Sequence, residues 1–410
     1  MCPDEVCEAD DDIGSEPTLE TETDDGSPTP DLPPPPECEQ DSDCSDSDKA
    51  PFCIAGTCQP CSSSPTPDLA CAAQNPDQPL CHADECVACF GDNPGACAAQ
   101  GQVCVAGETI CGACTAHDQC PGEAACDILA GECFLPSTVW HVDGDGGRDF
   151  VSIGEALEHV QFIDATLIIH GLESGGAYYE SIDHHGSEAL ALLAAPGEFP
   201  RIEGPASQPA ISLGYSELYL RGLEIHTNGG IYVDNQGQLH MHDTKVYFVD
   251  GDEAIELYAG AGLTMRNSML RGKVVVNDDA FFDVSYSTIY SGAWSPFYCS
   301  GAIAPSSLRN NLLATEEGAE TILGCLEASM LARGNALSTG IPSKPDNTII
   351  GPAQPGWFAD LQPNLHLGPN IPLSVATAAT WSADDPSVDI DGNPRSAEEG
   401  VQGWAGADVP

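Results

Sequence analysis

The sequence contains very few basic residues. Only 12 of its 410 residues are Lys or Arg, against 64 Asp or Glu, which gives a net charge of -52. A nucleic-acid partner would need cations that release counterions from its phosphates, so we expect none. The carboxylates leave room for weak attraction of divalent cations such as Ca²⁺. The two segments that resemble calcium loops, 143–145 and 389–393, lack the distal Glu and are better explained as turns, so no cofactor is expected.

Long apolar runs are also missing. No stretch approaches the roughly 20 residues of a membrane span, so no transmembrane segment is predicted. The chain begins Met1-Cys2-Pro3 without the charged and apolar regions of a secretory signal, and we expect the signal to be missing from this sequence. Two interpretations of Cys2 stay open: a disulfide with Cys7, which we favour, or a lipid-anchor site.

Cysteine, in contrast, is abundant and unevenly placed. Eighteen of the 20 cysteines lie between Cys2 and Cys133, and the other two are Cys299 and Cys325. A dense, even-numbered set in a short stretch is typical of disulfides formed in an oxidising compartment. We therefore expect an extracellular or cell-surface protein, and a monomer.

Two units precede the main domain. Residues 1–37 are acidic and Pro-rich with little to bury, which predicts a disordered spacer. Residues 38–136 hold four consecutive sets of four cysteines, predicting small repeats held together by disulfides. Zinc is the alternative, because neighbouring sets are joined by Cys-x2-Cys spacings. The sets are Cys38, Cys44, Cys53 and Cys58; Cys61, Cys71, Cys81 and Cys86; Cys89, Cys97, Cys104 and Cys111; and Cys114, Cys120, Cys126 and Cys133.

This array resembles the cysteine-rich repeats that precede other modules in exported myxobacterial proteins. The resemblance covers about a quarter of the chain and implies export. It implies no disulfide pairing.

Residues 137–410 show repeats of two short alternating strands. Segments starting at Leu218, Leu239, Leu263 and Phe282 are apolar at their first, third and eighth positions, and each follows a shorter apolar strand, such as 211–213. Repeats of roughly 20 residues whose apolar side chains stack predict an all-β fold, a right-handed parallel β-helix. A β-sandwich is the alternative. Ser152 and Glu155 predict a helix N-terminus with a capping box, and this helix would cover one end of the β-helix.

Several segments resemble the pectin-lyase-like superfamily. They are 142–157 (VDGDGGRDFVSIGEAL), 176–180 (GAYYE) and 194–204 (AAPGEFPRIEG), and residues 388–395 (VDIDGNPR) with 406–408 (GAD) are similar to the closing motif of bacterial β-helix repeat proteins. The resemblance implies the fold over about 138–410. It implies little about chemistry, because that superfamily includes lyases, hydrolases, esterases and members without known activity.

Residues that alternate with the apolar ones are expected to face solvent and to stack in two ladders along the β-helix. Aromatic, imidazole and guanidinium groups in a row suit sugar rings and their carboxylates. We therefore predict a ligand-binding stripe. The Tyr219 ladder comprises Tyr219, His240, Thr264 and Asp283, and the arginine ladder comprises Arg221, His242, Arg266 and Ser285.

No catalytic or metal-binding set is found in register along the strands. Asp243 and Asp283 lie two coils apart, and the Asp and Arg set of the resembled pectinesterases is not matched. The expected function is non-catalytic binding of a polysaccharide, a cell-envelope glycan or another surface partner, and the alternative is a polysaccharide-active lyase or esterase. Cys299 and Cys325, about one coil apart, are predicted to form a disulfide.

Overall fold

The structure is a computed structural model that describes residues 37–44, 52–91, 93–248, 253–301, 303–318, 325, 330–339, 345–360, 365–396 and 398–410. The predicted spacer, apart from residue 37, and the Cys2 to Cys7 pairing lie outside these residues. Among them, no helix is both long and apolar enough to cross a membrane.

The cysteine-rich region consists of four small repeats, each closed by a two-stranded antiparallel hairpin. In every repeat the first cysteine pairs with the third and the second with the fourth. The third and fourth cysteines face each other across the hairpin, as Cys53 and Cys58 do. The disulfide interpretation is thus confirmed over zinc. The hairpin strands are β1 Phe52–Ile54, β2 Thr57–Gln59, β3 Leu80–His82, β4 Glu85–Val87, β5 Val103–Cys104, β6 Cys111–Gly112, β7 Cys126–Asp127 and β8 Glu132–Cys133, with helix α1 at Pro67–Gln74.

Three parallel sheets form a β-solenoid from residue 139 onward. Sheet 1 has nine strands: β9 Val139–Val142, β10 Ala165–Ile169, β13 Leu190–Ala194, β16 Glu217–Arg221, β19 Gln238–His242, β22 Gly262–Arg266, β25 Phe281–Ser285, β28 Ser306–Arg309 and β30 Met330–Arg333. Sheet 2 has nine: β11 Ala177–Tyr178, β14 Arg201–Glu203, β17 Glu224–Thr227, β20 Lys245–Phe248, β23 Met269–Arg271, β26 Thr288–Tyr290, β29 Leu312–Ala314, β31 Ala336–Leu337 and β32 Thr348–Ile349. Sheet 3 has six: β12 Ile182–His184, β15 Ile211–Gly214, β18 Ile231–Asp234, β21 Glu253–Leu257, β24 Lys273–Asn277 and β27 Phe297–Ser300.

The register of the strands confirms the predicted parallel β-helix, and the β-sandwich alternative is wrong. Leu218 pairs with Leu239, which pairs with Leu263, so equivalent apolar side chains stack from turn to turn. These side chains are fully buried in one continuous interior cluster. Period-two alternation therefore identified the inward face correctly.

The predicted helix and the predicted disulfide are both present, but the capping box is only half formed, because the Glu155 carboxylate accepts from the backbone N–H of Val151 (3.5 Å) and not from that of Ser152. Helix α2 (Ile153–Val160) begins with Ser152, whose Oγ accepts a hydrogen bond of 3.1 Å from the backbone N–H of Glu155. Its buried residues Ile153, Ala156 and Val160 join the interior cluster and cover the first turns. Farther along, Cys299 and Cys325 are bonded, with Cα atoms 4.6 Å apart.

The turn from sheet 1 to sheet 2 contains a buried row of polar side chains, here called the polar ladder. From Ser268 onward, each side chain accepts a hydrogen bond from a backbone N–H one turn earlier, as Asn311 Oδ1 does from Ser287 (2.9 Å) and Asn335 Oδ1 does from Asn311 (2.8 Å). Thr244, at the start of the row, instead donates from Oγ1 to the backbone O of Leu220 (3.3 Å). The ladder thus satisfies turn amides that no strand pairs, and it locks neighbouring turns in register. Its members are Thr244, Ser268, Ser287, Asn311, Asn335 and Asn347.

The residue just before each of the first five polar-ladder positions is left-handed. This conformation favours Gly, Asn and Asp, which occupy the position in every turn but one. Tyr286 is the exception, and the guanidinium of Arg395 lies 4.7 Å from the centre of its ring. The left-handed residues are Asp243, Asn267, Tyr286, Asn310 and Gly334, with φ of 50°, 48°, 46°, 62° and 68°.

Residues 379–410, here called the C-terminal strap, run back along these turns. Asn310 Nδ2 donates to the backbone O of Thr380 (2.9 Å), and Arg395 donates to Asn267 Oδ1 (3.1 Å). Apolar strap residues such as Ile390 pack with preceding segments in a second cluster over the outer face of sheet 2. The strap contains the hairpin strands β33 Ala379–Thr380 and β34 Gln402–Gly403. The seven 3-10 helices described along the chain are Asp41–Cys44, Cys61–Ser63, Ala98–Gln100, His117–Gln119, Pro121–Glu123, Pro136–Thr138 and Leu373–Thr377.

Replacing Asn311 by Ala should lower the free energy of unfolding by at least about 2 kcal/mol, because buried backbone groups of two turns lose their partners. Urea unfolding with the disulfides intact measures this. The matched control is Asn228→Ala, at an exposed position, which should change stability by less than about 0.5 kcal/mol. Equal stability of the two variants would show that the polar ladder is dispensable.

Candidate functional site

The two predicted ladders exist, but half of the Tyr219 ladder is not exposed. Tyr219 pairs with His240, His240 with Thr264 and Thr264 with Asp283 on successive strands of sheet 1. Tyr219 is 0% and His240 6% exposed, whereas Thr264 is partly exposed and Asp283 is exposed. The expectation that Tyr219 and His240 face solvent is therefore wrong.

The fourth cysteine repeat covers these two side chains. The ring of Phe134 packs edge-on against Tyr219 at 6.3 Å, and His240 stacks on Tyr219 at 4.6 Å. The Tyr219 hydroxyl lies 2.7 Å from a carboxylate oxygen of Glu217 and 3.0 Å from one of Asp127 in that repeat. These residues thus join the cysteine-rich region to the solenoid instead of offering a ligand surface.

Three histidines lie in or beside this contact. Burial lowers the pKa of His117 to about 4 and that of His240 to about 4. Burial, and next the cation of Arg266, lowers the pKa of His242 to about 3. His117 Nδ1 accepts a hydrogen bond of 3.1 Å from the backbone of Cys126, and His240 Nε2 has no partner among the described residues.

The arginine ladder is longer than predicted, and some of its arginines bind another part of the same chain. Its register continues from Ser285 to Arg309 and then to Arg333. Arg266 donates to the backbone O of Asp384 in the strap (2.9 Å), and Arg309 forms an ion pair with Asp385. Arg266 is thus an anchor for the C-terminal strap. The missed members could have been found from the triplets Arg-Asn-Ser, Arg-Asn-Asn and Arg-Gly-Asn, which begin at residues 266, 309 and 333.

A cleft of about 640 Å³ lies where three parts of the chain meet. One wall is the fourth cysteine repeat at His117, the second is sheet 1 with the loop 194–199, and the third is the strap at 388–392. Buried Ile168 and Leu193 form an apolar floor, while Phe199 is 63% exposed at the rim. Arg221, from the arginine ladder, also lines it.

Carboxylates dominate the rim of this cleft, and several of them already hold the chain in place. Asp243 lies 3.6 Å from Arg221 and accepts a hydrogen bond of 2.7 Å from Asn267. Burial raises the pKa of Asp243 against these two interactions. Glu198 accepts a backbone hydrogen bond from Gly171 (2.5 Å). Such a rim can accept hydrogen bonds but repels anions.

Asp389 and Asp391 on the strap are engaged too. Asp389 caps its own turn by accepting backbone hydrogen bonds from Asp391 (2.9 Å) and Asn393 (2.7 Å), so the predicted turn is present. Asp391 lies with Asp408 and His366 in a group of suitable size for a metal ion. However, His366 Nε2 is 3.1 Å from the Lys245 ammonium, which is compatible with a proton on Nδ1 and not with a metal there. We assign this group to a hydrogen-bond network that holds the strap.

Sheet 3 has a second aromatic surface. The rings of Tyr232 and Tyr258 are parallel within 4° at 6.5 Å, and the Tyr258 hydroxyl donates to the buried carboxylate of Glu256. Tyr298 is about half exposed on the next strand but one of the same sheet, and Trp294, whose ring lies 5.1 Å from the Lys273 ammonium, is also about half exposed. This surface is flat, whereas the cleft encloses a volume.

The fold and disulfides define a parallel β-solenoid protein with a disulfide-rich N-terminal region, the kind of chain found in oxidising, extracellular environments. A model of a family of unknown function (DUF8331) matches residues 22–139, which include the cysteine-rich region. No curated protein and no solved structure matches the chain.

Acidification should destabilise the contact between the cysteine-rich region and the solenoid. The folded-state pKa values of His117 and His240 lie below the unfolded value near 6.5, so stability is complete above about pH 6.5 and falls as the pH drops toward 4. Each pKa unit corresponds to about 1.4 kcal/mol. Unfolding measured at about pH 7 and about pH 5 should show the loss.

Two variants test the assignment to these histidines. His240→Phe removes one titrating group and its unpartnered nitrogen, and it should keep stability near pH 7 while losing less at pH 5. His159→Phe, at an exposed position, should lose as much as the parent. An unchanged pH slope in His240→Phe would contradict the assignment.

Proposed function

We propose that the protein is an exported, non-catalytic carbohydrate-binding protein whose ligand occupies the cleft. The observation that supports this most is the combination of an apolar floor, the exposed ring of Phe199 and a rim of hydrogen-bond acceptors in one concave site. Concave sites with apolar walls and a few polar groups are the usual form of ligand sites. An aromatic ring at the rim suits the apolar face of a sugar.

The charge of the rim favours a neutral glycan. A carboxylate-rich rim attracts sugar hydroxyls as hydrogen-bond donors and repels uronic acids. Arg221, the one arginine that lines the cleft among the described residues, is already beside Asp243. This end of the arginine ladder is therefore better suited to sugar hydroxyls than to the sugar carboxylates expected from its sequence.

Export and surface location are part of the same proposal. The nine disulfides among the described residues support an oxidising compartment. We propose that the acidic, Pro-rich segment 1–37 holds the cysteine-rich region and the solenoid away from a cell envelope. The protein would be either secreted or anchored at the cell surface by a lipid on Cys2. We propose a monomer.

The second candidate is a polysaccharide-active enzyme. The observation that favours it is Asp243, a carboxyl in the cleft whose pKa is raised by burial, as general acids often are. Against it, Asp243 is held by Asn267 and Arg221, and the neighbouring Asp389 and Glu198 accept backbone hydrogen bonds.

Replacing Phe199 by Ala should weaken binding of a neutral oligosaccharide, chosen from a glycan array, by about tenfold, the size expected for one stacked ring. Isothermal titration calorimetry measures it. Phe162→Ala is the matched control, since Phe162 is 76% exposed on another part of the surface. If Tyr298→Ala abolishes binding and Phe199→Ala does not, the ligand binds at sheet 3 and the cleft proposal is wrong.

Asp243→Asn separates the two candidate functions. A binding protein should keep its affinity for the oligosaccharide within about threefold, because Asn can still accept from Asn267. Long incubation with the array ligand, followed by mass spectrometry of the sugar, should show no product with either protein. Product formed by the parent and lost in Asp243→Asn would establish the enzyme instead.

A further inference from the structure

The far end of the arginine ladder opens into a separate pocket of about 490 Å³. The solenoid side of this pocket contains Arg309 and Arg333 on neighbouring strands of sheet 1. The strap side contains Thr380, Trp381 and Gln402 from the hairpin of β33 and β34. Five strand spacings separate Arg333 from Arg221, or about 24 Å, so this pocket is distinct from the cleft.

Arg333 differs from the other arginines of the ladder. Arg221 is beside Asp243, Arg266 donates to the strap, and Arg309 is paired with Asp385. The side chain of Arg333 is exposed and has no hydrogen-bond or ion-pair partner among the described residues. Within the described residues, it therefore presents an unpaired guanidinium at the pocket.

Trp381 also lines the pocket, and it lines a neighbouring pocket that contains Arg395 as well. Its Nε1 atom is enclosed and forms no hydrogen bond within the described part of the chain. The donor that a ligand can reach in this pocket is therefore the exposed guanidinium of Arg333.

Two carboxylates border the pocket as well. Glu399 already accepts a hydrogen bond from the backbone of Ala383 (2.9 Å). Asp346 is exposed and would compete with an anion for Arg333. Removing the charge of Asp346 should therefore strengthen anion binding, whereas removing the charge of Arg333 should weaken it.

We propose that this pocket binds the oxyanion group of a ligand, a carboxylate or a sulfate ester, through the guanidinium of Arg333. The planar fork of Arg donates two parallel hydrogen bonds to such a group. A chain with a net charge of -52 repels anions generally, so an unpaired Arg in a pocket creates a local site for them. This proposal stands independently of the cleft.

The probes are a uronic-acid disaccharide, a sulfated disaccharide and the neutral parent disaccharide, titrated into the full chain by calorimetry at low salt. The full chain should bind at least one anionic disaccharide about tenfold more tightly than the neutral one, and the two anionic arms identify the preferred group. Arg333→Ala should remove this preference, and Arg333→Lys should retain part of it. Asp346→Asn should strengthen anion binding severalfold.

Arg148→Ala is the matched control, because Arg148 is exposed far from the pocket. It should leave the preference unchanged. Phe199→Ala should lower the affinity for the neutral disaccharide alone, so that a failure of the cleft proposal is recognised separately. Equal affinity for anionic and neutral disaccharides, no binding of either anionic probe, or equal losses in Arg148→Ala and Arg333→Ala would overturn the proposal. An unchanged melting temperature of Arg333→Ala excludes unfolding as the cause of its lost anion binding. If that variant fails to fold, the proposal is tested by the weaker anion binding expected of Arg333→Lys and the stronger anion binding expected of Asp346→Asn.

Discussion

The hydrogen bonds of the polar ladder hold the turns of the solenoid in register, and the outer features follow from that register. A turn between two sheets leaves backbone amides that no strand can pair. Asn311 and Asn335 satisfy them from the next turn along, with bonds of 2.9 and 2.8 Å. A slip of one residue would break these bonds and turn every inward side chain outward. The ladder thus supplements apolar stacking, which by itself tolerates small displacements.

The same register aligns the basic side chains along the edge of the solenoid that the strap contacts. From His242 onward, each arginine-ladder residue lies two positions before a polar-ladder residue, as Arg309 does before Asn311, and the guanidinium groups therefore line up along one edge. The left-handed residues between them, such as Asn267 and Asn310, present amide groups at the same edge. An acidic strap with Asp384 and Asp385 can therefore bind along it. Three of the chain's few basic residues, Lys245, Arg266 and Arg309, thus contact its own C-terminal strap.

Sequence periodicity predicted the inward faces because burial repeats with period two and stacks with the turn length. Leu218, Leu239 and Leu263 could be assigned without knowing anything else about the molecule. Whether an outward side chain is exposed to solvent depends instead on which other segments pack over it. Tyr219 is buried by Asp127 and Phe134, which are more than 80 residues away in the sequence and follow no periodic pattern. The cleft could not be predicted from the sequence for the same reason, because its walls come from three segments that are far apart in the chain.

The strap changes how the whole solenoid resists unfolding. In an ordinary repeat protein each turn contacts only its neighbours, so stability is nearly one-dimensional and the ends can fray independently. Here the strap contacts the turns from Asn310 back to Lys245. The fourth cysteine repeat contacts an earlier turn, through the hydrogen bond between Asp127 and Tyr219. Losing one end turn would also release contacts several turns away. The solenoid should therefore unfold as a single cooperative unit and resist proteolysis that begins at its ends.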